Sequence, residues 1–183
     1  MTKAGSKARR FAEWTTTLPE DVEATFKLTA DEKIDAKGRR ILAGALSYVL
    51  TQLDLIPDHE KAGAIDDTFV LRVAYGLAAD YMGKASTDAA ARLARMTREE
   101  EELEEFLGEK TFAKLRQFVV DLPERAVRGR TADQVLADPR ARENMKRELD
   151  QQMKKVKPLL IDTDQLAEEI EVSIRSYLAM KLK

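Results

Sequence analysis

Two apolar segments with helical spacing, separated by a short acidic stretch, constrain this chain more than any other feature. From Ala36 onward, Ile41, Leu42, Ala45, Leu46, Val49 and Leu53 fall on one broad face. Beyond the acidic stretch, Phe69, Val70, Val73, Ala74, Leu77 and Tyr81 repeat the pattern. Each segment must bury its apolar face against something, so the pair is expected at the centre of an all-α bundle.

The rest of the sequence is punctuated in the same way. Pro19 followed by Glu20 and Asp21 reads as a first helical turn, since proline has no N–H to lose there and acids suit the positive end of a helix. Thr29 with Glu32 and Thr97 with Glu100 fit capping boxes, and Thr131 with Gln134 can cap a short helix. Leu103, Phe106 and Leu107 form one apolar side, with Gly108 as a stop, and Phe112, Leu115, Val119 and Leu122 mark the next helix, ended by Pro123. Asp138-Pro139 opens a helix carrying Ala141, Met145, Leu149, Met153 and Val156, which Pro158 stops. A last helix begins near Asp162 or Thr163 and carries Leu166, Ile170, Ile174, Tyr177 and Leu178. The expected architecture is a bundle of about seven helices. A first unit is expected over residues 1–95 and a C-terminal helical extension packed on it over 96–183, with the boundary between Gly83 and Thr97.

Composition fits long amphipathic helices. Of 183 residues, 44% are hydrophobic and 35% charged, enough for a core with wet outer faces. The formal net charge of −2 argues against a dedicated nucleic-acid binder. Basic spots at Lys3, Lys7, Arg9 and Arg10, and at Arg125, Arg128 and Arg130, lack interleaved aromatics and read as solvated surface. With no cysteine and one histidine, disulfides, thiol nucleophiles and the usual zinc ligand sets are excluded. The basic N-terminal residues have no apolar stretch behind them, unlike a secretory signal. The run "ILAGALSYVL" is shorter than the roughly 20 apolar residues that span a bilayer. A cytoplasmic protein is expected.

The acidic stretch, "LTQLDLIPDHEKAGAIDD" from Leu50 to Asp67, holds the candidate functional residues Asp54, Asp58, His59, Asp66 and Asp67, with Pro57 and Gly63 as turn residues. One account is structural. Asp54 caps a turn at Pro57, Asp58 caps the next, Gly63 closes it, and Asp66 or Asp67 caps the second apolar helix. The other is a ligand site. If the flanking helices pack antiparallel, four carboxylates converge and need neutralising, and oxygen ligands suit Mg²⁺, Ca²⁺ or Mn²⁺. The spacing is not that of an EF-hand loop. Arg39, Arg40 and Arg72 are the nearby cations that can pair with these acids instead. His59 beside acids has the chemistry of a general base, but no nucleophile accompanies it, so no catalytic residue is assigned.

"LDLIPD" followed by "GAIDD" resembles the YkvA-like family of bacterial domains of unknown function, position by position at Asp54, Ile56, Pro57, Asp58, Gly63, Asp66 and Asp67. The resemblance covers residues 36–80. It implies a small helical fold and a membrane context for many members, and supplies no reaction and no ligand. This chain departs from the pattern at Thr51-Gln52-Leu53 and at the polar "HEKA". Burying His59, Glu60 and Lys61 in lipid costs several kcal/mol. The function expected is a non-enzymatic module that binds a protein partner. The alternatives are a carboxylate-based metal or small-ligand site between residues 54 and 67, and a peripheral membrane protein.

Overall fold

The computed structural model describes residues 5–51, 54–57, 60, 62–83 and 87–182. Among them are eight α-helices and no strand: α1 Ser6–Leu28, α2 Ala36–Val49, α3 Ile65–Ala78, α4 Thr87–Leu107, α5 Glu109–Asp121, α6 Ala132–Ala137, α7 Pro139–Met153 and α8 Asp164–Lys181. Short 3₁₀ turns at Ala79–Tyr81 and Leu122–Glu124 close α3 and α5. The all-α bundle expected from the periodicity is what forms.

The apolar pair α2 and α3 is central, as its composition requires. Twelve of the fourteen residues from Ile65 to Ala78 are buried, and Phe69, Val70, Leu71, Val73, Ala74 and Tyr75 wholly so. Helices α1, α4 and α5 pack on α3, while α5, α6 and the Leu122–Glu124 turn pack on α2. Phe11 and Trp14 of α1, Phe69 of α3 and Phe106 of α4 form a tilted and edge-on aromatic cluster. One core therefore runs through both halves of the chain. The boundary drawn near residue 95 falls inside α4.

Local signals set many helix ends. Asp138 accepts from Arg140 N–H, Thr163 accepts from Leu166 N–H, and Thr131 with Gln134 makes both bonds of a capping box. Gly108, at φ 76° and ψ 153°, takes a positive-φ conformation that favours glycine between α4 and α5.

Three expected boundaries are corrected. Pro19 does not open a helix but lies inside α1. A proline there costs about 3 kcal/mol. Phe11, Trp14, Leu18 and Val22 continue one buried stripe through it, each contributing about 1.5–3 kcal/mol of burial, so the helix runs on. Thr29 is the C-terminal cap of α1 rather than the start of a box, and Asp35 caps α2 through Lys37 N–H. Thr97 lies mid-helix, because Arg92, Arg95 and Glu99 share a face of α4 that is tied down by ion pairs. Asp21, fully buried in α1, accepts from both Arg92 and Arg95, and Glu99 lies 2.7 Å from the buried guanidinium of Arg72.

Candidate functional site

The acidic connector is a clamp. Helix α2 gives way to the connector after Val49, and α3 begins at Ile65 with Ala64 at its N-cap position and no side-chain cap. Asp66 and Asp67 stand within the first turn of α3, where their charge suits the helix dipole. Neither is the cap that local reading expects. Asp66 instead reaches back across the connector. Its Oδ2 accepts from the Tyr48 hydroxyl at 2.5 Å and from Ile56 N–H at 3.0 Å, while the Tyr48 oxygen accepts from Leu55 N–H at 2.7 Å. The amide of Ile56 is thus held by Asp66. Glu60 N–H donates to the Pro57 carbonyl at 2.8 Å and Gly63 N–H to the Glu60 carbonyl at 3.1 Å.

Burial dominates the electrostatics of the clamp. Asp66 is 1% exposed, and its Oδ1 is buried with no hydrogen-bond partner among the described residues. Burial pushes its carboxyl up to about 7, against the two donors that hold it down, and the nearby Asp54 adds to the rise. Burial, with the charge of Asp66, also pushes the Tyr48 phenol well above its ordinary value. Of the other candidates, Asp67 is buried and Asp54 half-buried, and Asp58 and His59 lie outside the described residues. Among the described residues no group of three or more histidine, cysteine, aspartate or glutamate side chains is placed to hold a metal ion. Two of the arginines expected to pair with these acids, Arg40 and Arg72, are engaged elsewhere. Arg40 bridges Glu124 and Asp133 at 2.7 Å each, and Arg72 pairs with Glu99. The basic loop is a structural turn: Arg128 (φ 51°) and Gly129 (φ 76°) form its centre, and Arg128 Nε donates to the Leu50 carbonyl at 3.1 Å, where α2 ends.

Beside the clamp lies a feature that the residue pattern did not single out. The connector segment Ala62–Ile65 forms one wall of a cleft of about 650 Å³, and the linker between α7 and α8 forms the other, with Lys155, Val156, Lys157, Pro158, Leu159 and Leu160. Thr15 of α1 fixes this linker by accepting from Leu159 N–H at 2.9 Å, and Tyr177 of α8 fixes the connector by donating to Glu60 at 2.7 Å. The visible trace in the sequence is "KKVKPLLID", a basic and apolar run after a helix. Its meaning depends on what it lies against.

Neither a family model, nor a curated protein, nor a solved structure matches the chain. Among the described residues no helix is long and apolar enough to cross a membrane.

Proposed function

We propose that this chain is a non-enzymatic helical module that offers the cleft between its acidic connector and the α7–α8 linker to a protein partner. The observation that carries the reading is the commitment of Asp66. The carboxylate that stands out most in the sequence is buried, and one of its oxygens is consumed by Tyr48 and Ile56. A group spent in this way holds the connector in shape rather than meeting a substrate. What it holds in shape is a wall of the cleft, so recognition belongs to the cleft surface. On this reading residues 36–80 are a YkvA-like unit whose D-x-I-P-D and paired-Asp motif is a scaffold signature. The polar connector and charged outer faces fit a cytoplasmic location.

The test is capture of partners by cross-linking in cells, comparing the wild type with Leu160→Asp in the cleft and Val120→Asp on the distant exposed face of α5. A partner that binds the wild type and the Val120 variant, is lost from the Leu160 variant, and binds again when purified supports the reading. Turnover of a small molecule that depends on Asp66 would replace it with an enzymatic one.

A further inference from the structure

The cleft has a chemical bias that names the kind of partner it suits. Of the charged residues that line it, Lys155 and Lys157 stand together on the linker wall and Glu60 and Asp67 on the connector wall, so its positive charge is gathered on one side. Most of the ion-paired cations lie elsewhere. Lys155 and Lys157, which line the cleft, make no ion pair among the described residues. Helix α3 adds the positive end of its dipole at Ala64, which has no side-chain cap and also lines the cleft.

The apolar part of the surface is equally specific. Leu160 is 80% exposed, more than any other large apolar residue in the described chain. Leu159 and Ile161 on either side of it pack against the core. This in-out alternation is that of an extended chain, a shape that suits an extended partner segment laid beside it.

We infer that the cleft binds an extended acidic peptide segment bearing a leucine or similar apolar residue, its carboxylates facing Lys155 and Lys157 and its apolar side chain against Leu160. The inference rests on the reading of the cleft as a docking site. Glu60 and Asp67 also line the cleft, but Glu60 is held by Tyr177 and Asp67 is buried; they disfavour an acid at their end and so give the peptide a direction. A flat lipid surface can reach Leu160 but not the concave wall at Ala62–Ile65. Among the described residues no aromatic side chain lines the cleft to stack a nucleic-acid base.

The experiment uses the full chain as bait for a displayed library of random peptides. Selections run in parallel on the wild type, on Lys155→Glu/Lys157→Glu, on Leu160→Ser and on the remote Val120→Ser, each checked by far-UV dichroism for intact helix. The expected result is enrichment of sequences rich in Asp, Glu and Leu on the wild type and the Val120 variant. Binding of a selected peptide should weaken at least about tenfold in the lysine and Leu160 variants and should fall as salt rises. The charge-reversed bait should select basic sequences instead. Enrichment of basic or uncharged peptides whose binding still needs Leu160 overturns the acidic chemistry and leaves the docking site standing. Selected peptides that ignore the cleft substitutions, or no enrichment at all, overturn this inference. The first of these also removes the cleft from the proposed function. Binding of anionic vesicles that depends on Lys155, Lys157 and Leu160, in the absence of peptide selection, replaces the peptide by a membrane surface.

Discussion

The Tyr48 hydroxyl donates to Asp66 Oδ2 at 2.5 Å and accepts from Leu55 N–H at 2.7 Å, so a single phenol joins α2, the connector and α3. Tyr48→Phe keeps the ring but leaves the Leu55 amide without its acceptor and Asp66 with one donor fewer. The expected loss of stability is about 1–3 kcal/mol, the cost of a buried group left unpaired. Asp66→Ala unpairs both Tyr48 and Ile56 N–H and should cost at least as much. Because the two residues act on one network, the double variant should be clearly less destabilised than the sum, measured by urea denaturation. Strict additivity would show that they do not form one clamp.

The same burial gives the protein a pH dependence. Asp66 and Glu100 are both pushed up to about 7, in each case mainly by burial, with Arg116 opposing the shift at Glu100. In the unfolded chain such carboxyls titrate near 4. The folded state therefore binds more protons between about pH 4 and pH 7, and its stability falls as pH rises through that window. The contribution is complete below the unfolded value and lost above the folded one. Glu23 and Asp133, held low by Lys146 and by Arg40, act in the opposite direction but at more acidic pH. Denaturation midpoints should fall from about pH 5 to about pH 8 and should do so less steeply in Asp66→Asn/Glu100→Gln. An unchanged slope in that double variant would remove these two groups as the cause.

The clamp also bears on divalent cations. Asp66 gives Oδ2 to two protein donors and keeps Oδ1 buried, so Mg²⁺, Ca²⁺, Mn²⁺ and EDTA are each expected to leave the melting temperature unchanged. An ion that bound the native state alone would raise it by mass action. A rise of several degrees with one ion, abolished by Asp66→Asn, would turn the connector into a metal site.

These cases show why some of the molecule was legible in its sequence and some was not. Thr131, Asp138 and Thr163 cap helices through amides two or three residues away, so the pattern that predicts them is local. Asp66 looks like a member of that group, but its partners are Ile56 and Tyr48, ten and eighteen residues back, and only the packing of α2 on α3 selects them. Pro19 and Thr97 misled for a related reason. Each carries a local boundary signal that is outweighed by a buried stripe or by ion pairs to another helix. The cleft was hidden because its two walls lie about ninety residues apart in sequence, and neither Leu160 nor Lys155 is unusual on its own.

Close contact between α2 and the turn after α5 makes a further prediction. A Cβ built on Gly44 would lie 2.8 Å from both the nitrogen and Cδ of Pro123, which are backbone and ring atoms that cannot swing aside. Alanine favours a helix over glycine by about 1 kcal/mol. Overpacking against rigid atoms costs about 1–3 kcal/mol, so the clash is expected to win and Gly44→Ala to be destabilising. Pro123→Ala should recover part of that loss when combined with it. Thermal melts of the two single variants and the pair decide the matter, and a Gly44→Ala protein as stable as the wild type would show that the turn can move away.

The ion pair between Arg72 and Glu99 offers a sharper test of what holds α4 in place. Arg72 is fully buried, stacked at 4.1 Å over the Trp14 ring, and burial pulls its guanidinium down to about 10 even with Glu99 2.7 Å away. Arg95 and Arg10 also approach Glu99, at 3.2 Å and 3.6 Å, but both are partly exposed and can be solvated when it is lost. Arg72 cannot. Glu99→Ala therefore strands a buried charge and should cost about 3–5 kcal/mol, far more than removing an exposed partner such as Glu105 from Lys7, where about 0–1 kcal/mol is at stake. Replacing both members together, as Arg72→Met/Glu99→Leu, removes the charge with its partner and should restore most of the stability. Equilibrium unfolding of the four proteins gives the answer. If Glu99→Ala proves as mild as Glu105→Ala, then Arg72 finds another counter-charge and α4 is held by its apolar contacts alone.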